Sequence, residues 1–268
     1  MQNDCRSLPV FARLPVTADL SLLLQALACI GDAAWTAHFN AGYYEGQWSG
    51  VALISAADAL TELSPGTGHP IQRDPWRTDE RWARALRDLP LDIRCARLLR
   101  LGPGSRIHEH RDYDLDGLEA DRRLHIPLLS SPDVDFMLDG QRIPMSAGEC
   151  WFLDLSRPHS VDNWGQDERI HLVLDCRPTA WLEQQIEAGL PTTPPAGLGR
   201  AAVAFAKFRA LLEREPRLCR LLQAEQDSEA FIAQTLALGA EHGLTFGRED
   251  VRAAMRLGRN QWNRQWTA

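Results

Sequence analysis

Between Ile93 and Asp175, apolar and polar residues alternate in short runs broken by glycine and proline. A period of two places successive side chains on opposite faces of an extended chain, so this stretch predicts strand after strand. Arg94 to Arg100 alternates, and Gly102-Pro103-Gly104 then forces a turn. Arg123 to Leu129 is the next strand. Asp133 to Leu138 and Gln141 to Ile143 flank Asp139-Gly140 as a hairpin, because Asp-Gly tolerates the positive φ of a type I′ turn. Ala147-Gly148 leads into Glu149 to Asp154, and Arg169 to Asp175 closes the set. Many short strands joined by Gly/Pro turns predict a sandwich or barrel, with a cupin-like jelly roll as the natural candidate.

Helical spacing flanks this core. Leu22, Leu23, Ala26, Leu27 and Ile30 predict a helix over 17–30 with Thr17 as N-cap. Trp35 to Ser55 reads as extended chain around turns, Thr61 to Ile71 as a surface loop, and Asp79 to Asp88 as a short helix. Thr179 to Gly189 is helical, and Pro191 to Gly199 reads as a linker. Beyond it, Phe205, Phe208, Leu211, Leu212, Leu218, Leu221, Leu222, Phe231, Ile232 and Leu236 recur every three or four residues. Gly243 stands where a helix would end, and Glu249 and Asp250 stand in the first turn of the next. The expected fold is mainly β with flanking helices: a double-stranded β-helix over 1–190 and a small C-terminal helical domain over 200–268.

Composition narrows the function classes. The 268 residues carry a formal charge of -7, which argues against a general affinity for nucleic acid. The longest apolar run, Leu20 to Ile30, is too short to span a bilayer. Six cysteines (Cys5, Cys29, Cys95, Cys150, Cys176 and Cys219) are scattered without a C-x-x-C, as separate reduced thiols would be. No basic-then-apolar signal pattern opens the chain, so the expected compartment is the cytoplasm.

Candidate chemistry gathers in the strand region. On a strand, His110 and Asp112 would share a face and could reach one cation, and His159 ends a later strand. Two histidines and a carboxylate on one face of a metal leave open positions, an arrangement associated with non-haem Fe(II) oxygenases. His108 falls on the same face by alternation and is assigned to the pocket wall. Arg169, ten residues after His159, opens a buried-looking strand. It is either solvent-facing at a sheet edge or an anchor for an anion within the fold, where its fork would match a carboxylate two-pronged. His171 shares its face. Arg123 and His125 form another same-face pair, as contacts to a co-substrate or as satisfied wall residues. Arg97 points inward if the Cys95/Arg97/Leu99 face is the inner one, and could then bind a substrate carboxylate.

The ordered set Pro103-Gly104, His110-x-Asp112, Arg123-Leu-His125-Ile-Pro127, Gly148-Glu149, Phe152-x-Asp154, His159-x-Val161-x-Asn163 and Arg169-x-His171-Leu-x-Leu-Asp175 resembles the aspartyl/asparaginyl β-hydroxylase family of Fe(II)/2-oxoglutarate dioxygenases, and bacterial proline hydroxylases are similar. Trp35-x-x-His38-x-Asn40 and Tyr44-x-Gly46-x-Trp48 resemble the amino-terminal part of that family. The resemblance implies Fe(II) held by His110, Asp112 and His159. It also implies 2-oxoglutarate as co-substrate with its distal carboxylate on Arg169, and dioxygen as oxidant. It places His125 near the co-substrate, and Arg123 near the co-substrate or the substrate carboxylate. Animal aspartyl β-hydroxylases lack the carboxylate ligand whereas Asp112 is present here, so peptidyl aspartate does not carry over as substrate. The implied partner is an amino acid, free or within a peptide. The tail is similar to Nif11-type helical modules, and reads equally as an ordinary helical appendage. Two other readings stand beside the hydroxylase: a non-catalytic cupin-like metal-binding or regulatory protein, and a cupin enzyme that works without 2-oxoglutarate.

Overall fold

Among the described residues the chain forms thirteen strands, with helices between some of them. In the computed structural model, which describes residues 8–64, 66–252 and 254–256, the chain opens with β1 (Phe11–Thr17), α1 (Leu20–Leu27), β2 (Thr36–Ala37), β3 (Tyr44–Glu45), β4 (Trp48–Ala56) and β5 (Pro70–Gln72). Two short helices, α2 (Asp74–Thr78) and α3 (Arg81–Ala85), precede β6 (Ile93–Leu101), β7 (Arg106–His110) and β8 (Arg122–Leu129). Then come β9 (Val134–Leu138), β10 (Gln141–Arg142), β11 (Glu149–Leu153), β12 (His159–Asn163), β13 (Arg169–Cys176) and α4 (Ala180–Glu187). Three more helices follow: α5 (Arg200–Arg214), α6 (Pro216–Gln223) and α7 (Ser228–Glu241). Cys5 and the outer ends of the ranges 1–190 and 200–268 lie outside the described residues.

The strands form two antiparallel sheets. One runs β1-β11-β8-β13-β6-β4-β2, with β5 added on β4; the other runs β10-β9-β12-β7-β3. This is an open jelly roll, mainly β with flanking helices. The Asp139-Gly140 turn between β9 and β10 has φ of 49° and 77°, the pair of positive angles a type I′ hairpin needs.

The central strands of the larger sheet have two chemically different faces. Leu124 and Ile126 of β8, Ile170, Leu172 and Leu174 of β13, and Ala96 and Leu98 of β6 share one apolar core with Leu23, Trp82 and Leu182 from the helices. The opposite faces carry Arg123 and His125, then Arg169, His171 and Asp175, then Arg97. All of these are buried. A second core, with Trp48, Leu101, Phe136, Trp151 and Val161, lies between the sheets. Burying strands on both faces normally calls for apolar residues throughout. The charged inner face therefore has to be satisfied within the fold, by ion pairs or by something that binds there.

The start of α1 departs from expectation. Thr17 ends β1, a strand the apolar spacing did not announce, and Asp19 is the N-cap, its carboxylate accepting from the Leu22 amide at 3.1 Å. Pairing of β1 with β11 keeps Thr17 extended and moves the helix start two residues on.

The chain divides into two compact units between Gly197 and Leu198. Within the second, Phe208, Leu222, Ile232, Leu238, Phe246 and Val251 form the core. Gly239 admits the Phe246 ring, since a Cβ there would lie 2.6 Å from it, and Gly243 takes the positive φ that ends α7. Among the described residues, no helix is long and apolar enough to cross a membrane.

The cap assignment is directly testable. Asp19→Ala is expected to lower stability by about 1 kcal/mol, whereas Thr17→Ala should stay within about 0.5 kcal/mol. Urea midpoints of the two variants, compared at equal m-value, would reverse in order if Thr17 were the cap.

Candidate metal centre

The smaller sheet brings the candidate ligands together by register. His159 of β12 lies directly opposite His110 of β7. Two steps along β12, from His159 to Val161, match three along β7, from His110 back to Ile107, so β7 carries a bulge between these pairs. The extra residue shifts the alternation. Ile107 and His110 both line the cavity, while His108 turns away and has its Nε2 3.5 Å from Glu45 Oε1. Simple alternation would have put His108 in the pocket wall; the bulge removes it. Asp112 is likewise not on the strand, which ends at His110. It opens a short 3-10 turn, pinned by its amide donating to the Leu155 carbonyl at 2.9 Å.

One nitrogen from each of His110 and His159 and one oxygen from Asp112 lie within 4.8 Å of one another. The His110 and His159 ring centroids are 4.2 Å apart, and His110 Nε2 is 3.7 Å from Asp112 Oδ1. Each imidazole donates from Nδ1 to a nearby carbonyl, His110 to His108 at 2.8 Å and His159 to Arg157 at 3.0 Å. A proton fixed on Nδ1 leaves Nε2 as a lone pair, the state a metal requires. Burial pushes His159 down to about 4, helped by the nearby His110 and opposed by Asp112, so its imidazole is neutral at physiological pH. Donor types, spacing and tautomers thus fit one divalent transition-metal ion.

These residues line a cavity of about 370 Å³ together with His38, Trp48, Arg97, Arg123, His125, Phe136 and Arg169. A larger groove of about 960 Å³ lies along β4 beside β2 and β5, sharing only Phe39 and Leu63 with the cavity. Its size does not make it the chemical centre, since none of the clustered ligands lines it.

Three buried arginines, Arg97, Arg123 and Arg169, line the cavity and differ in how they are answered. Asp175 sits opposite Arg123 in the β13–β8 register. It accepts from Arg123 Nε at 2.6 Å and Nη2 at 3.0 Å, and also from Arg97 Nη2. Arg97 Nη1 donates to the Leu63 carbonyl at 2.8 Å, and Arg123 Nη1 pairs with Asp112. Burial opposes charge on Arg123, but Asp175 and Asp112 outweigh it and raise its pKa; burial likewise opposes charge on Asp175, and Arg123 and Arg97 outweigh it and hold its pKa low. Arg169 is 2% exposed, and no carboxylate forms an ion pair with it among the described residues. Its Nη2 meets His171 Nδ1 at 2.8 Å, its Nε has no partner, and burial pushes its pKa down to about 9.

Every residue singled out from the sequence for the site except His108 and His171 lines this one cavity. Two contributors had no role in that reading. His38 stacks on Trp48 with ring centroids 3.4 Å apart, and burial, then Arg97, lowers it to about 4. Asp175 shares the face of Arg169 and His171 by alternation, a signal that was present in the sequence.

Residues 80–178 match the family model described as Aspartyl/Asparaginyl beta-hydroxylase. Over 92 residues the chain is 34% identical to L-proline cis-4-hydroxylase of Rhizobium meliloti (strain 1021), a match covering 34% of this chain and 32% of that protein. The chain thus spans about a third of the length of the curated relative it matches. Among solved structures, a 2OG-Fe(II) oxygenase family oxidoreductase from Burkholderia pseudomallei is 16% identical with a TM-score of 0.41, covering 59% of this chain and 78% of that one. A Pseudomonas putida prolyl-4-hydroxylase is 15% identical with a TM-score of 0.35, covering 60% and 86%. The segment bearing the candidate ligands and Arg169 is therefore similar to this hydroxylase family.

The buried histidines predict a pH dependence. Burial, with the nearby Arg169 charge, drives His125 and His171 well below their ordinary 6.5. Below that pH the unfolded chain takes up protons that the native state refuses, so stability falls as pH drops from 7 to 5. The slope is roughly 1.4 kcal/mol per pH unit for each histidine. Urea unfolding at pH 7.5, 6 and 5 should show this loss, and His171→Asn should flatten it; a slope unchanged by that substitution contradicts the assignment.

Proposed function

We propose that this protein is an Fe(II)- and 2-oxoglutarate-dependent dioxygenase that hydroxylates an amino acid, free or within a peptide. The observation that carries the reading is the placement of two imidazoles and a carboxylate around one point, in the same cavity as a buried guanidinium with no counter-ion among the described residues. His110, Asp112 and His159 would hold iron and leave positions open for 2-oxoglutarate and dioxygen. When bound, that group supplies the oxidation of 2-oxoglutarate to succinate and carbon dioxide coupled to insertion of an oxygen atom into a C–H bond.

The chain's own residues do the placing. Arg169 is the site for the distal carboxylate: a dicarboxylate would neutralise a charge that burial otherwise makes costly. His125, beside His171 and Phe136, belongs to the wall of that co-substrate site. Arg123 orients Asp112, leaving its second carboxylate oxygen for the metal. Arg97 borders the substrate side, although its Nη atoms already serve Asp175 and the Leu63 carbonyl, which leaves a weaker hold for a substrate carboxylate than an unpaired guanidinium would offer. Trp48 and Phe136 supply apolar walls that limit water near the reacting carbon. A metal-binding regulatory module, or a cupin enzyme without co-substrate, has no use for the Arg169 arrangement. The similarity to a proline hydroxylase supports an amino-acid substrate. A reducing, cytoplasmic setting suits the free thiols Cys29, Cys95, Cys150, Cys176 and Cys219.

Anaerobic addition of Fe(II) and 2-oxoglutarate should produce a weak visible charge-transfer band that is absent when either is omitted. Arg169→Ala is expected to weaken 2-oxoglutarate binding by at least about thirtyfold, as truncation of a buried charge partner does, with Fe(II) binding retained. His159→Ala should lose Fe(II) binding itself. Unchanged 2-oxoglutarate affinity in the Arg169 variant would sink the co-substrate role, and an unchanged band in the His159 variant would sink the metal site.

A further inference from the structure

The inner face of β13 presents Arg169, His171 and Asp175, and the two polar partners on it treat arginine differently. Asp175 neutralises Arg97 and Arg123 directly. Arg169 is instead held by His171, whose Nδ1 lies 2.8 Å from Nη2 and which is itself 1% exposed. A guanidinium only donates, so His171 Nδ1 must be the unprotonated nitrogen, with the ring proton on Nε2. His125 Nδ1 lies 3.3 Å from that same Nδ1, so it too can only donate there. The one lone pair on His171 Nδ1 is thus taken by Arg169 at the shorter distance, with His125 as a longer second donor to the same atom.

The choice of a neutral acceptor has a consequence. A carboxylate at position 171 would also fix the guanidinium, but it would cancel its charge, as Asp175 does for Arg97 and Arg123. An imidazole fixes the fork and leaves the positive charge uncompensated in a low-dielectric wall, where it is worth most to an incoming anion. We infer that His171 is a positioning residue that holds Arg169 without neutralising it, and so sets the preference of this site for a 2-oxo dicarboxylate over a 2-oxo monocarboxylate. This inference rests on the reading of Arg169 as the distal-carboxylate site.

The test compares His171→Asp, which adds a charge, with His171→Asn, which keeps a neutral acceptor on a short side chain. Binding of 2-oxoglutarate and of 2-oxobutanoate, which lacks the distal carboxylate, is measured by anaerobic calorimetry on the full-length Mn(II)-loaded protein, so no turnover enters the readout. His171→Asp should weaken 2-oxoglutarate at least tenfold and leave 2-oxobutanoate within about twofold. His171→Asn should keep both within about threefold. If the Asp variant does not fold, His171→Leu replaces it, with at least fivefold loss expected for 2-oxoglutarate alone. Equal weakening of both ligands marks a merely structural role and overturns the inference, as does wild-type 2-oxoglutarate affinity in the Asp or Leu variant. Arg169→Ala, run alongside, separates the two levels. If it leaves 2-oxoglutarate binding intact, the parent reading fails and takes this inference with it. If it abolishes binding while the His171 variants have no effect, only the role of His171 is lost.

Discussion

Three guanidiniums are buried in one wall of a jelly roll, and the single carboxylate on that wall answers two of them. Asp175 pairs with Arg97 and Arg123, and Arg169 is left with a neutral imidazole. Burying an ion costs several kcal/mol unless it is paired. The apolar framework around Arg169, with Leu124, Ile126, Leu172 and Leu174 packed behind the sheet, has to hold it in place against that cost. Binding of an anion would repay it. The charge pattern of this wall thus links stability of the empty fold to occupancy of the cavity.

The same wall reaches the candidate metal centre through one residue. Arg123 bridges Asp175 of the larger sheet and Asp112 beside the smaller one. Asp112 lies in a turn just past β7, where its amide donates to the Leu155 carbonyl and its carbonyl accepts from Leu115, and neither bond fixes the side chain. The ion pair to Arg123 therefore does for the carboxylate what the carbonyls of His108 and Arg157 do for the two imidazoles. Each proposed ligand has its free atom directed by a partner outside the metal's own sphere, the usual arrangement where ligand orientation matters.

The neutral His171 then acquires meaning from its contrast with Asp175. The two residues sit on one strand face, four positions apart, and both receive hydrogen bonds from arginine. One removes charge from the cavity and the other preserves it. A wall built with carboxylates at both positions would be easier to bury and poorer at taking up a dicarboxylate.

Much of this was legible in the order of residues. Alternation identified β6, β8, β9, β11 and β13, Asp139-Gly140 identified the hairpin between β9 and β10, and the residue types His110, Asp112, His159 and Arg169 pointed to a metal and an anion. Those features depend on local sterics and on the chemistry of single side chains, which a sequence carries intact. What only the tertiary structure decided depends on pairing between distant segments. The bulge that turns His108 outward exists because β7 must match β12, and Thr17 is a strand residue because β1 pairs with β11. The division of three arginines between Asp175 and His171 follows from which strands lie side by side. Strand register is a property of the folded sheet, and no local period in the chain encodes it.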